Sequence, residues 1–377
     1  MLPNYPRPRS RDQFYIAIIC AKRIETNAVE AMFDEHWEPE SEYGKAPGDT
    51  NAYHLGRIGR HNVVLGYLPG SGTAISATSA SNFRSSFTSI RLGLVVGICG
   101  GVPTIHGRNS ITTEVLLGDV IISTKLVEYR HGTQRPDGFF EKETLPIAST
   151  EIRSFLGKME GDYSYIKLQN RTSTHLSTLL KKELYKDWKY PGADRDRLYS
   201  PSHRHKHQQR HICEICDKDE DRVCEAALES SCETLECHEV VRRDRLVEPK
   251  ESSASVLART AEESAQVWDP KLLIHFGPVA SGDLVMKSGL HRNEVVSKER
   301  FREQKVIAFE MEGAGVWETL PTIVIKGVSD YADSHKGDEW QQYAAARAAA
   351  CMKSVLEEWL QTDNEWVSSI YTPSNQS

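Results

Sequence analysis

The chain has 377 residues, 39% apolar and 26% charged, with 53 acidic side chains against 46 basic ones and a formal net charge of -7. With a mean hydropathy of -0.48 it reads as a soluble globular protein carrying polar insertions. No apolar run approaches the roughly 18 residues that a membrane span needs, and the acidic balance argues against general nucleic-acid binding. The start, MLPNYPRPRSRDQ, is basic and Pro-rich without an apolar core, so it does not read as a secretory signal. Eight cysteines without such a signal imply a reducing, cytoplasmic compartment, where thiols or a metal site are expected before disulfides.

In chain order, residues 1–12 read as a disordered leader and 13–362 as one domain. Phe14–Cys20 is an apolar run of the kind that forms a buried parallel strand. It breaks at Ala21–Glu25 into a helix over Thr26–Phe33. A carboxylate such as Glu25 at a strand-to-helix junction sits favourably near the helix N-terminus. Tyr53–Leu68 predicts a hairpin feeding the next strand. The Gly70–Thr73 turn, with Gly72 in it, precedes a small-residue helix over Ala74–Phe87 and offers backbone N–H groups to an anion.

Leu92–Val96 is a further strand, running into a glycine loop, Gly97-Ile98-Cys99-Gly100-Gly101, whose lack of side chains permits close approach of a ligand. Leu116–Ser123 reads as another strand, and Tyr129–Gly132 as a segment reaching the mouth of a site. Helical segments over 150–195, notably Thr172–Trp188, look peripheral.

From Tyr190 to Glu251 the composition shifts, and 196–250 reads as an irregular His/Cys-rich insertion. His203, His205, His207 and His211 precede Cys213-x-x-Cys216, with Cys224, Cys232, Cys237 and His238 beyond. Cys213 and Cys216 form a zinc half-site with ample further ligands nearby; the other reading is a charged surface insertion with incidental thiols. No catalytic metal or cofactor is expected.

Leu272–Asp283 is a strand leading into Ala280-Ser281-Gly282-Asp283-Leu284-Val285-Met286. Then Val306–Phe309 approaches Glu310-Met311-Glu312, a helical run from Gly313 to Leu320 follows, and Thr322–Ile325 forms a buried strand ending at Lys326–Asp330. Carboxylates at the carboxyl ends of strands in an open α/β sheet face the crevice where such folds bind ligands. Glu312 as a helix-start charge and Asp330 as a turn residue are the plainer readings of each alone. Asp338–Leu360 predicts a long Ala-rich amphipathic helix closing the domain, and 363–377 a frayed tail. Strands alternating with helices, with no repeat, predict an α/β fold: a single domain around a mixed, mostly parallel central sheet flanked by helices.

Three strings in this pattern carry a family resemblance: CAKRIE (20–25) with GICGG (97–101), ASGDLVM (280–286), and FEMEGAG (309–315) with VIKGVSDYADSHK (324–336). Together they resemble the nucleoside phosphorylase/nucleosidase superfamily, which breaks or exchanges the N-glycosidic bond of nucleosides. The likeness is greatest to its fungal branch, often fused to signalling modules in immune-receptor-like proteins, and to the methylthioadenosine/S-adenosylhomocysteine nucleosidases.

The resemblance implies that Met311 and Glu312, flanked by Phe309 and Glu310, hold the ribose hydroxyls. It implies that Asp330, oriented by Ser329, protonates the purine, and that Glu25 activates the attacking water. Gly97, Cys99 and Gly100 would lie beside the ribose and nucleophile, and Ser281, Val285 and Met286 along the base. Phosphorylases of the family carry an Arg before this glycine loop and a hydroxyl within it, where this chain has Val95 and Ile98; water is therefore the expected nucleophile. Lys22, Arg23, Arg130, Lys326 and Lys336 are candidates for a nucleotide's phosphates.

The expected activity is thus hydrolysis of a purine nucleoside or nucleotide, adenosine- or ATP-type, by a homo-oligomer built on dimers or trimers. A phosphate-dependent phosphorylase and a non-catalytic nucleotide-sensing module are the alternatives.

Overall fold

The computed structural model describes residues 5–38, 42–106, 112–129, 131–141, 145–219, 222–238, 240–246, 271–298 and 305–360. Nine strands make the central sheet: β1 (Ile16–Cys20), β2 (Glu35–His36), β3 (Ala52–Ile58), β4 (His61–Tyr67), β5 (Leu92–Gly101), β6 (Val120–Glu128), β7 (Ile274–Ser281), β8 (Ala308–Glu310) and β9 (Thr322–Asp330). The helices around it are α1 (Arg23–Glu30), α2 (Thr73–Ser86), α3 (Thr150–Met159), α4 (Asp162–Leu180), α5 (Gly289–Ser297), α6 (Gly313–Trp317) and α7 (Gln341–Glu358). The result is an α/β domain with a mixed central sheet flanked by helices.

Strand order is β8-β7-β6-β9-β5-β1-β4-β3-β2. At its centre β1, β5 and β9 run parallel, so their carboxyl ends lie together. Every residue of β1 and β9 is buried, which is why these strands read as continuous apolar runs rather than as an alternation. Short β8 pairs in parallel with β7 and also antiparallel with the end of β5, Ala308 opposite Gly101 and Phe309 opposite Gly100. The strands β8, β7, β6, β9 and β5 therefore close into a ring.

The expected hairpin over 53–68 is β3 and β4, turning at Gly59 and Arg60. Three other expectations shift. The glycine segment 97–101 is not a loop but the last half of β5, paired with β9 and β8. The closing helix α7 is not amphipathic: 14 of its 18 residues are buried, because α4 and α1 cover the face that would otherwise meet water. Helix α4 is accordingly not peripheral, and buries Leu168, Thr172, Leu176 and Leu179.

Of the expected leader, residues 5–12 are described, and Arg7 donates to Tyr43 Oη and the Glu38 carbonyl. The expected tail lies outside the described residues. The insertion holds two short helices, Glu214–Lys218 and Glu225–Glu229, and Leu198–Tyr199 pairs with Val240–Val241. Among the described residues no helix is long and apolar enough to cross a membrane.

Candidate active site

The first turn of α1 brings Glu25 back over the end of β5. Its Oε2 accepts from the Ala21 and Lys22 N–H groups at 2.9 and 2.8 Å, and Oε1 from Ile98 N–H at 2.9 Å. This approach depends on Gly97, where a Cβ would stand 2.2 Å from Oε1. Burial pushes the Glu25 carboxyl above its usual range; Lys326 pulls against that shift and Glu312 adds to it.

Lys326, on β9, sits behind Glu25 and Glu312. Its Nζ is 2.8 Å from Glu312 Oε2 and 3.7 Å from Glu310 Oε2, and its side chain is 1% exposed. Burial works against the ammonium, but Glu312, Glu25 and Glu310 together hold its pKa well above the usual lysine value. This corrects the expectation of a phosphate-binding lysine, since the group is enclosed and already paired.

Glu310 serves the backbone: its carboxylate accepts from the Glu312 and Gly313 N–H groups at 2.9–3.0 Å. Ser281 Oγ accepts from Ala314 N–H at 2.9 Å. Both residues pin the start of α6, a position where negative charge is favoured, and so fix Glu312 at its N-cap. Met311 beside it is partly buried.

Asp330 ends β9. Its Oδ1 accepts from Ala332 N–H at 2.9 Å, Oδ2 takes the Ser329 hydroxyl at 2.9 Å, and Lys336 Nζ lies 3.0 Å from Oδ2. A Cβ on Gly100 would fall 2.9 Å from Asp330 Oδ1, so this glycine too makes room for a carboxylate. The Ser329 hydroxyl also lies 3.3 Å from the carbonyl of buried Cys99. Beside Asp330, Ala332 belongs to an apolar cluster with Phe309, Met286, Tyr129 and Val102. Phe309 and Tyr129 meet edge to face at 5.6 Å. Val285 does not join them and is 46% exposed, whereas Met286 is buried within the cluster.

Gly72 and its turn are not open to an anion. Asp283 Oδ1 accepts from Thr73 N–H at 2.6 Å and Oδ2 from the Thr73 hydroxyl at 2.5 Å, so a carboxylate already stands at the start of α2.

A cleft of about 740 Å³ opens onto Ser329, Asp330 and Lys336, and neither Glu25 nor Glu312 lines it. Its outer wall is the insertion: Tyr199 stacks on His335 at 3.7 Å and His205 N–H donates to Ser334 Oγ at 3.1 Å. Arg195, Arg197, Arg204, Lys287 and Lys336 face Glu229, Glu233, Asp330, Asp333, Asp338 and Glu339 across it. With five basic groups against six acidic, net charge does not select a phosphate tail. Lys22 donates to Gln341 at 3.0 Å, and Arg130 lies outside the described residues.

No protein-family model matches the chain. A nucleotide-binding leucine-rich repeat (NLR)-like protein of Hyaloscypha variabilis is 28% identical over 351 residues, 92% of this chain and 29% of that protein. ATP nucleosidase Cap17 of Escherichia coli is 30% identical over 93 residues, 22% of this chain and 18% of that protein. The chain thus spans less than a third of either relative. Among solved structures, methylthioadenosine/S-adenosylhomocysteine nucleosidase of Neisseria meningitidis covers 93% of this chain and 100% of its own, at 14% identity and a TM-score of 0.49. Futalosine hydrolase of Helicobacter pylori covers 92% and 99%, at 15% identity and 0.49.

Sequence reasoning missed Asp283 and the Asp196–Tyr331 contact. Asp283 stood in a quoted string, but its partner Thr73 is 210 residues away. Asp196 accepts from the Tyr331 hydroxyl at 2.5 Å and from Leu117 N–H at 3.0 Å, bracing the residue next to Asp330. Nothing in its local sequence signals this.

Proposed function

We propose that the chain hydrolyses the N-glycosidic bond of a purine nucleoside or nucleotide, releasing free base and ribose or ribose phosphate. The observation that carries this reading is the setting of three carboxylates, Glu25, Glu312 and Asp330, along β5 and β9 from their middles to their carboxyl ends. Breaking this bond leaves a cationic sugar and an anionic base. In this reading Asp330 gives a proton to the departing purine from a site bordered by apolar Phe309, Met286 and Ala332. Glu312, fixed by Lys326, holds the ribose hydroxyls and offsets the sugar's positive charge.

Glu25 takes the proton of the attacking water. Its three backbone donors hold its orientation, Oε1, with one donor, keeps a second lone pair, and a carboxyl raised by burial is the stronger base. The names of the relatives, an ATP nucleosidase among them, agree with this chemistry. Against phosphate as nucleophile stand buried Val95 and the filled anion position at Thr73.

The test is chromatography of released base from adenosine, methylthioadenosine, inosine and ATP, with and without millimolar phosphate. Base and free sugar without phosphate are expected. Strict phosphate dependence with ribose 1-phosphate as product would establish the phosphorylase instead.

The likeness to part of an NLR-like protein favours a second reading, a nucleotide-sensing module of a larger signalling protein. Saturable nucleotide binding with no base released from any substrate would support that reading over the first.

A further inference from the structure

We propose that the His/Cys insertion is a zinc-bound cap, independent of which reaction the site performs. His207, Cys213, Cys216 and Cys224 bring one nitrogen and three sulfurs within 4.8 Å of one another. His207 Nδ1 lies 3.7 Å from Cys216 Sγ and 3.6 Å from Cys224 Sγ. Zinc bonds of about 2.3 Å to sulfur and about 2.0–2.1 Å to nitrogen, at tetrahedral angles, require an N···S edge of about 3.6 Å. The separations match that edge, and three thiolates with one imidazole are a soft tetrahedral set suited to zinc.

The folding of the segment supports the same conclusion. Its own apolar core consists of Cys216, Cys224, Ala227 and Leu235, far too little to hold some 35 residues without a staple. All eight cysteines are unpaired, so no disulfide supplies one. Cys213 caps the short helix that carries Cys216, and Cys224 caps the next; the ligands sit where the backbone turns.

A second set lies beside the first. His205 Nδ1 is 3.6 Å from Cys232 Sγ and 3.7 Å from Cys237 Sγ, the same edge again. Its Nε2 lies 2.9 Å from the Ser230 carbonyl, the outer contact that normally fixes a metal-bound imidazole. His203 and His335 lie within 4.8 Å of Cys237 Sγ, in a group that shares that sulfur with the second set. The ring nitrogens of His335 have no hydrogen-bond partner, and its side chain is 4% exposed. Because His335 belongs to the loop after Asp330, a metal here ties the cap to the rim of the cleft.

The experiment is metal analysis of the full chain, purified without chelator or a histidine tag, with cobalt substitution read by its thiolate charge-transfer band. We expect about two zinc ions per chain, falling to about one in Cys213→Ser/Cys216→Ser and likewise in Cys232→Ser/Cys237→Ser. One zinc, lost only in the first variant, would uphold the four-ligand centre and remove the second. The cobalt band of the unmutated chain tests the proposal even if a variant fails to fold. A chain without zinc that gives no thiolate band on adding cobalt, or metal content indifferent to both variants, would overturn it.

Discussion

Gly97 on β5 and Glu25 on α1 are fitted to each other: the carboxylate occupies the space where any other residue at 97 would place its Cβ, 2.2 Å from Oε1. Three residues along the same strand, Gly100 does this for Asp330. Four glycines in one strand, Gly93, Gly97, Gly100 and Gly101, weaken it, yet pairing with β9 and β8 holds this one together. Gly97 and Gly100, about 10 Å apart along the strand at about 3.3 Å per residue, thereby make room for two acids.

Gly97→Ala is therefore expected to fold, at a cost of about 1–3 kcal/mol for the overpacked methyl, and to lose most base release because Glu25 must leave Ile98 N–H. Urea unfolding and turnover measured together check this. Wild-type kcat with the methyl accommodated would show that the position of Glu25 does not matter.

Asp330→Asn should remain folded, keeping the Ala332 N–H contact and losing the Lys336 ion pair, while turnover falls by roughly 10²–10⁴-fold, the usual contribution of a general acid. Near wild-type activity would remove Asp330 from the mechanism.

Lys326 tests the buried ion cluster. Replacing it by Met leaves Glu312 and Glu310 in the interior without their cation, and breaking such a pair typically costs about 3–5 kcal/mol. Adding Glu312→Gln should recover part of that loss, because the stranded charge is then gone. Denaturant midpoints of the single and double variants give the answer; additive losses would mean the pair contributes little.

Much of this arrangement was legible in the sequence because it is local. Apolar runs gave β1, β5 and β9, and Glu310, Glu312, Ser329 and Asp330 stand in two short strings at the ends of β8 and β9, both of which pair with β5. What was hidden depends on distant pairing. Glycine's low strand propensity made 97–101 look like a loop, until neighbours on both sides were present to extend β5. Asp283 reads as a turn residue until the fold sets Thr73 against it. The insertion's place over Asp330 rests on Tyr199 meeting His335, which no local pattern encodes.

Asp196 is buried against Tyr331, the residue that follows Asp330. Burial raises its pKa from 3.8 to about 6, with the Tyr331 hydroxyl and Leu117 N–H only partly opposing. The folded chain therefore holds this proton more tightly than the unfolded chain. Its contribution to stability is full below pH about 4 and is lost as pH rises through about 6, by up to about 3 kcal/mol. His61 acts in the opposite sense: burial lowers it from 6.5 to about 4, so stability falls as pH drops through that range. The wild-type curve mixes the two, but Asp196→Asn isolates the first, because an amide stays neutral and can still accept from Leu117 N–H. The melting temperature of wild type minus that of Asp196→Asn should fall between pH 4 and 6 and level off above about 6.5. Parallel curves for the two proteins across that interval would show that Asp196 does not titrate there.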